Sequence, residues 1–175
     1  MSLKNVRKDG KGDEYYTPKY VVEILIPYLK AKEFKTIWCP CDKEWSEFVK
    51  VLRDNGFIVH HTHIETGEDF LSFQPDFEFD AIITNPPFSI KNKVVERCIY
   101  HGKPWALLLS ATCVQSASLI KLLSKCSKFE FLMFDKRISY SGDRPPFPSW
   151  YFTDGILDTS KFYIYKEDPR KLLTP

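Results

Sequence analysis

FDAIITNPPFSIKNKVVERCIYHG, residues 79–102, changes its period part-way along. Ala81 to Thr84 are a short apolar, β-branched run suited to a buried strand, and the run stops at Asn85, two prolines and Phe88. Beyond them Val94, Val95, Cys98 and Ile99 recur at helical spacing. A strand that feeds a helix through a stiff turn is one βα unit, and the same alternation continues on either side.

Upstream, KTIWC (35–39) predicts a strand. WSEFVKVLRDNG (45–56) predicts a helix with Trp45, Phe48, Val49 and Leu52 on one face, stopped by Asn55-Gly56, and FIVHHTHI (57–64) a second strand. TPKYVVEILIPYLK (17–30) begins with a capping Thr17 and with Pro18 at the first helical position. Val21, Ile24, Leu25 and Tyr28 share a face, and Pro27 is expected to kink or split the helix. Downstream, PWALLLS (104–110) is apolar throughout and so should be central, followed by a helix over about 113–125 and a strand FEFLMFD (129–135). SWYFTDG (149–155) and KFYIYKE (161–167) have no helix between them and read as a closing antiparallel hairpin. The expectation is an α/β fold: a mostly parallel seven-stranded sheet with a C-terminal antiparallel hairpin and helices on both faces. Such sheets bind ligands at the carboxyl ends of their strands, and Asn85 follows one.

The chain has 175 residues, 43% of them hydrophobic, which fills one core and not two. Residues 1–14 are polar and expected to be a disordered tail, with one domain over 15–175 and no separate target-recognition domain. No apolar run approaches the roughly 20 residues of a membrane span, so a cytoplasmic protein is expected. Five cysteines without paired spacing fit reduced thiols better than a disulfide framework or a zinc site. His60, His61, His63 and His101 lack a companion ligand in the pattern and read as partly buried histidines. A net charge of +2 leaves any contact with an anionic polymer to local groups: the basic N-terminus, Lys91, Lys93, Arg137 and Arg144.

In Asn85-Pro86-Pro87-Phe88 the prolines remove two backbone donors and fix the turn. That leaves the Asn85 amide oxygen and the Pro86 carbonyl as converging acceptors, suited to a planar exocyclic amine. TNPPF resembles the catalytic motif of the S-adenosylmethionine-dependent amino-methyltransferases, the [D/N/S]-P-P-[Y/F] family. The resemblance implies a class I methyltransferase (Rossmann-like) fold and methylation of adenine N6 in DNA, with a flipped base. Asn85 and Pro86 would hold the amine, Pro87 would stiffen the turn, and Phe88, with Ser89 beside it, would meet the base. YYTP (15–18) resembles the family motif that closes over the methionine part of the cofactor, implying roles for Tyr16, Thr17 and Pro18. GEDFL (67–71) resembles the acidic-aromatic motif that meets the cofactor adenine, here Asp69 and Phe70. Glu65 is the candidate acceptor for the ribose hydroxyls, with His63 as its rival. RISYSGDRPPFPSWYF (137–152) resembles the eighth motif, with Tyr140 as the aromatic on the other face of the base.

CPCDKEWSEFVKVL, HIETGEDFL and TNPPFSIKNKVVE together resemble the phage-borne EcoRI-type adenine methyltransferases. In that branch a role for Cys39, Pro40, Cys41 and Asp42 in binding the cofactor survives the absence of the usual glycine-rich turn; Asp42 reads equally as the N-cap of the next helix. Without an inserted recognition domain, specificity falls to short loops, a specificity subunit or a homodimer. An amine on RNA or on a protein glutamine is the alternative substrate, and a silent nucleic-acid or cofactor-binding module the alternative class.

Overall fold

The computed structural model describes residues 16–140 and 147–163. The expectations for the tail at 1–14, for Arg144 and for the end of the last strand lie outside these residues. Seven strands form one sheet: β1 (Thr36–Pro40), β2 (Ile58–Thr62), β3 (Ala81–Thr84), β4 (Trp105–Ser110), β5 (Phe129–Phe134), β6 (Ser149–Asp154) and β7 (Lys161–Tyr163), in the spatial order β2-β1-β3-β4-β6-β5-β7. The pairs β1·β2, β1·β3, β3·β4 and β5·β7 are parallel, and β6 runs antiparallel to both its neighbours.

The helices are α1 (Lys19–Glu23), α2 (Ile26–Ala31), α3 (Glu47–Asp54), α4 (Lys91–His101) and α5 (Ala117–Leu123). Pro27 lies in the first turn of α2, and the helix expected over 17–30 is indeed two pieces. A proline there cannot continue the ladder of the preceding helix, but it fits the start of a new one. α1 to α3 bury Val21, Leu25, Leu29, Phe48 and Leu52 against one face of the sheet, and α4 and α5 bury Val94, Val95, Cys98, Leu119 and Leu123 against the other. β4 is buried at every position, as its unbroken apolar run demands.

Three expectations are corrected. The partner of β6 is not the last strand: β6 pairs with β4 and with β5, Phe131 facing Phe152, while β7 adds in parallel to the far side of β5. Burial explains the insertion, because Tyr151, Phe152 and Thr153 are completely covered and a terminal hairpin would expose one side of them. The 113–125 helix is a 3-10 turn (Ala111–Gln115) followed by α5, separated where Ser116 caps α5 by accepting from Leu119 N. Trp45 precedes α3 and is 50% exposed instead of packing on the buried face.

Between β2 and β3 the chain packs Phe70, Phe77 and Phe79 edge-on or tilted against Trp38, with ring centres 5.1 to 5.8 Å apart. Arg97 of α4 holds this segment by donating to the Phe70 and Phe73 carbonyls. No helix among the described residues is long and apolar enough to cross a membrane.

Candidate functional site at the β1/β3 switch point

Strand order reverses at β1, whose neighbours β2 and β3 continue in opposite directions across the sheet. Crevices at the carboxyl ends of such strands are where open α/β sheets bind ligands. Here a cleft of ≈ 320 Å³ opens at the ends of β1 and β3, lined by Tyr16, Thr17, Cys41, Asp42, Lys43, Trp45, Ser46, Glu47, Phe48, Lys50, His63, Asn85 and Pro87. The sequence motifs around residues 16, 41, 63 and 85 therefore converge on one cavity.

The turn after β1 lacks glycine, yet it takes a glycine-like path: Cys41 has φ 66, in the left-handed region. Desolvation, then the neighbouring Asp42 and Asp69, push the Cys41 thiol up to about 12, so it stays a thiol at neutral pH and no nucleophile. Asp42 is 7% exposed. Its Oδ1 accepts from Ser46 Oγ at 2.5 Å, and its Oδ2 lies 2.6 Å from Thr84 Oγ1, which also contacts the Pro40 carbonyl oxygen. Burial raises the Asp42 carboxyl to about 7, against the pull of these hydroxyls. The N-cap of α3 is Ser46, whose Oγ accepts from Phe48 N at 3.2 Å, and not Asp42. Asp42 sits four residues too early to reach the first turn, and is used instead to hold the cap residue.

At the end of β3, the Asn85 Nδ2 donates to Thr17 Oγ1 at 3.2 Å, which fixes how the amide is rotated. Thr17 is itself buried, and it does not cap α1 as expected: the N-cap is Pro18, without a side-chain cap, and Lys19 is the first helical residue. Pro86 is buried, Pro87 half-buried, and Ser89 exposed. Phe88 meets Phe147 edge to face, ring centres 4.9 Å apart. Tyr140, expected as the second aromatic, is 3% exposed and packed in the α1–α3 side of the core with Ile138. The aromatic that stands beside Phe88 is Phe147, in the proline-flanked setting PPFPSW two residues before β6.

The remaining candidates divide. His63 lines the cleft, and its Nδ1 accepts from Glu65 N at 3.1 Å. Glu65 is exposed and ion-paired at 2.7 Å with Lys43, whose hydrogen bond holds the carboxylate below its ordinary range. Asp69 caps its own turn by accepting from Leu71 N at 3.0 Å and lies close enough to Cys41 to act on its thiol. Phe70 is 3% exposed beneath Trp38 and His101, and Cys39 is fully buried in the α1–α3 core. Neither side chain reaches the cleft, because Phe70 completes the aromatic cluster and Cys39 points inward from a central strand. The sequence reading missed Lys43 and Trp45 on the lip: Trp45 meets Tyr16 at 5.0 Å, and the Lys43 amine stands 5.8 Å from the Trp45 ring centre. Two aromatics that are 48% and 50% exposed and touch at a cavity mouth are unusual surface residues, and exposure is the property that sequence spacing hides.

Elsewhere the histidines have structural partners: His60 stacks on Phe77 at 3.9 Å, His61 pairs with Glu44 at 2.6 Å, and His101 packs against Trp38.

No family model matches the sequence, and no curated protein matches it. Solved structures do. One is a proposed RNA methyltransferase from Pyrococcus horikoshii, with 14% identity and a TM-score of 0.50, covering 83% of this chain and 86% of the other. Another is a proposed class I S-adenosylmethionine-dependent methyltransferase from Listeria monocytogenes, with 11% identity and a TM-score of 0.52, covering 97% of this chain and 77% of the other. The chain has the class I methyltransferase fold. At these identities the likeness concerns the fold alone, and the chemistry rests on the residues of the cleft.

Proposed function

We propose that this chain is an S-adenosylmethionine-dependent methyltransferase acting on the exocyclic N6 amine of adenine in DNA. The observation that carries the reading is the placement of Asn85: it ends β3 at the switch point, its amide is held by Thr17, and the Phe88–Phe147 pair stands directly after it.

The cleft suits the cofactor. Its wall is a left-handed turn at Cys41, its mouth carries Tyr16 and Trp45 for a flat ring or a cation, and Lys43 and His63 supply polar contacts. The bound cofactor supplies an electrophilic methyl group. The protein's own part is to position the acceptor: the Asn85 Oδ1 and the Pro86 carbonyl accept the two N–H groups of the target amine, which draws its lone pair out of conjugation. The Phe88 ring stacks on the base and Phe147 supports Phe88 from the side. No covalent intermediate is needed, so positioning and electrostatics carry the rate. The raised Cys41 thiol fits a reaction without a cysteine nucleophile.

A base reaches this site only outside its duplex, so single-stranded or mismatched DNA should be the better substrate. Sequence preference would come from a second copy of the chain or a specificity subunit. Lys91, whose amine reaches back to the Phe88 carbonyl at 3.4 Å, and Lys93 lie nearest the motif for phosphate contacts. Filter-bound transfer of labelled methyl to mixed-sequence DNA, with RNA of the same sequence and a glutamine peptide in parallel, tests the reading. DNA should accept most label; label only on RNA or peptide overturns the substrate assignment, and label on none of them overturns the activity.

A further inference from the structure

The hydrogen-bond network joining the ends of β1 and β3 is one proton short. The Ser46 hydroxyl gives its single proton to Asp42 Oδ1, since its oxygen already accepts from Phe48 N. The Thr84 hydroxyl also has a single proton, but it lies at hydrogen-bond distance from two acceptors, Asp42 Oδ2 and the Pro40 carbonyl oxygen. All of these groups are buried or nearly so. With an ionised Asp42, one of the two acceptors would face a lone pair of Thr84 across the buried seam between β1 and β3, an arrangement that proteins avoid. With a proton on Oδ2 the chain closes: Asp42 donates to Thr84, Thr84 donates to the Pro40 carbonyl, and each oxygen has a partner.

We propose that Asp42 is held protonated and acts as a hydrogen-bond donor through Thr84, clamping the turn after β1 to the end of β3 one residue before Asn85. Asp42 is thereby a positioning residue. Its effect on Asn85 rests on the methyl-transfer reading; its proton does not.

Among the described residues, no cation is paired with Asp42 to replace that proton. From β1 and its turn Asp42 meets Cys39 and Cys41, both driven upward by burial first and then by Asp42 itself. Lys43 is engaged by Glu65, and across the cleft His63 receives Glu65 N. On α3, Glu47 and Lys50 pair with each other, and Arg53 is paired with Glu44 on the outer side. Asp69, acting on the same Cys41, adds negative charge and not positive. The carboxyl titrating near 7 agrees with the proton count.

Infrared difference spectra of the full chain between pH 6 and 8.5 test this without turnover. Asp42→Asn is the matched variant, because its amide nitrogen can donate to Thr84 and its oxygen accept from Ser46. The neutral-carboxyl C=O band present at pH 6 should be lost in Asp42→Asn, kept in Thr84→Ser, and shifted to higher frequency in Thr84→Val, where the carboxyl loses its acceptor. The melting temperature of the natural chain should fall by about 3–5 °C over the same interval relative to Asp42→Asn. Identical bands in the natural chain and Asp42→Asn at pH 6, or parallel melting profiles, overturn the proposal. Because neither readout needs cofactor or DNA, absence of methyl transfer would overturn the functional reading and leave these results to decide the proton.

Discussion

Asn85 Nδ2 donates to Thr17 Oγ1 over 3.2 Å, joining the end of β3 to the residue two before α1. Two motifs that are far apart in sequence are thus one structural unit, and the rotation of the Asn85 amide is set from outside its own loop. An acceptor that must point at a particular N–H benefits from being oriented before the substrate arrives.

Asn85→Ala should lower kcat by about 100-fold or more, the scale of one pre-organised polar group, while the affinity for S-adenosylhomocysteine changes by only a few-fold. Thr17→Val should lower kcat less, because it loosens the amide without deleting it. Single-turnover rates and calorimetry separate the two parameters. Equal rates for Asn85→Ala and the natural chain would remove Asn85 from the mechanism.

Phe147→Ala should weaken DNA binding and turnover in the same direction as Phe88→Ala, each by about 1 kcal/mol or more, the size of a base-stacking contact. Tyr140→Phe, by contrast, alters a residue in the core and should leave the KM for DNA unchanged. KM values for a short single strand with one adenine compare the three. A Tyr140→Phe variant with the larger KM effect would restore Tyr140 to the base site.

Order and type of the elements were legible because each carried its own pattern: short β-branched runs for β1 to β3, spaced valines for α4, an unbroken apolar run for β4. The motifs picked out Asn85, Thr17 and Asp42, and the fold brings all three to one cleft. What escaped was set by contacts between distant segments. Tyr140 and Phe147 are seven residues apart, and local spacing does not say which of them joins the core on the α1–α3 side. Likewise β6 slots between β4 and β5 with Tyr151 and Phe152, on opposite faces, both completely buried, while its sequence reads equally well as half of a hairpin. The left-handed Cys41 had no signal, since that position holds neither glycine nor Asn or Asp, the types that favour the conformation.

Trp45 should report cofactor binding. It is half exposed at the cleft mouth, while Trp38 and Trp105 are completely buried. Titrating S-adenosylhomocysteine should change the tryptophan emission, and Trp45→Phe should abolish most of that change. A full response in Trp45→Phe would place the ligand elsewhere.

Asp80 makes the start of β1 acid-sensitive. Its Oδ2 accepts from Thr36 N at 2.9 Å and Lys35 N at 2.7 Å, and these backbone bonds hold the carboxyl below its ordinary value. A depressed carboxyl contributes stability that is present above its unfolded pKa of 3.8 and is lost as the pH falls through the folded value. Asp80→Ala should cost about 1–2 kcal/mol at pH 7, and the cost should shrink as the pH falls below 3.8, by urea unfolding at each pH. A cost that stays constant down to pH 2 would mean that the two backbone bonds do not act through the charge.

Mass spectrometry of nucleosides from mixed-sequence single-stranded DNA, incubated with the purified chain and S-adenosylmethionine carrying a deuterated methyl group, tests the central claim most directly. The account predicts N6-methyladenine carrying the intact label, absent with Asn85→Ala. Label on another base, or none on adenine while Trp45 still reports bound cofactor, would contradict it.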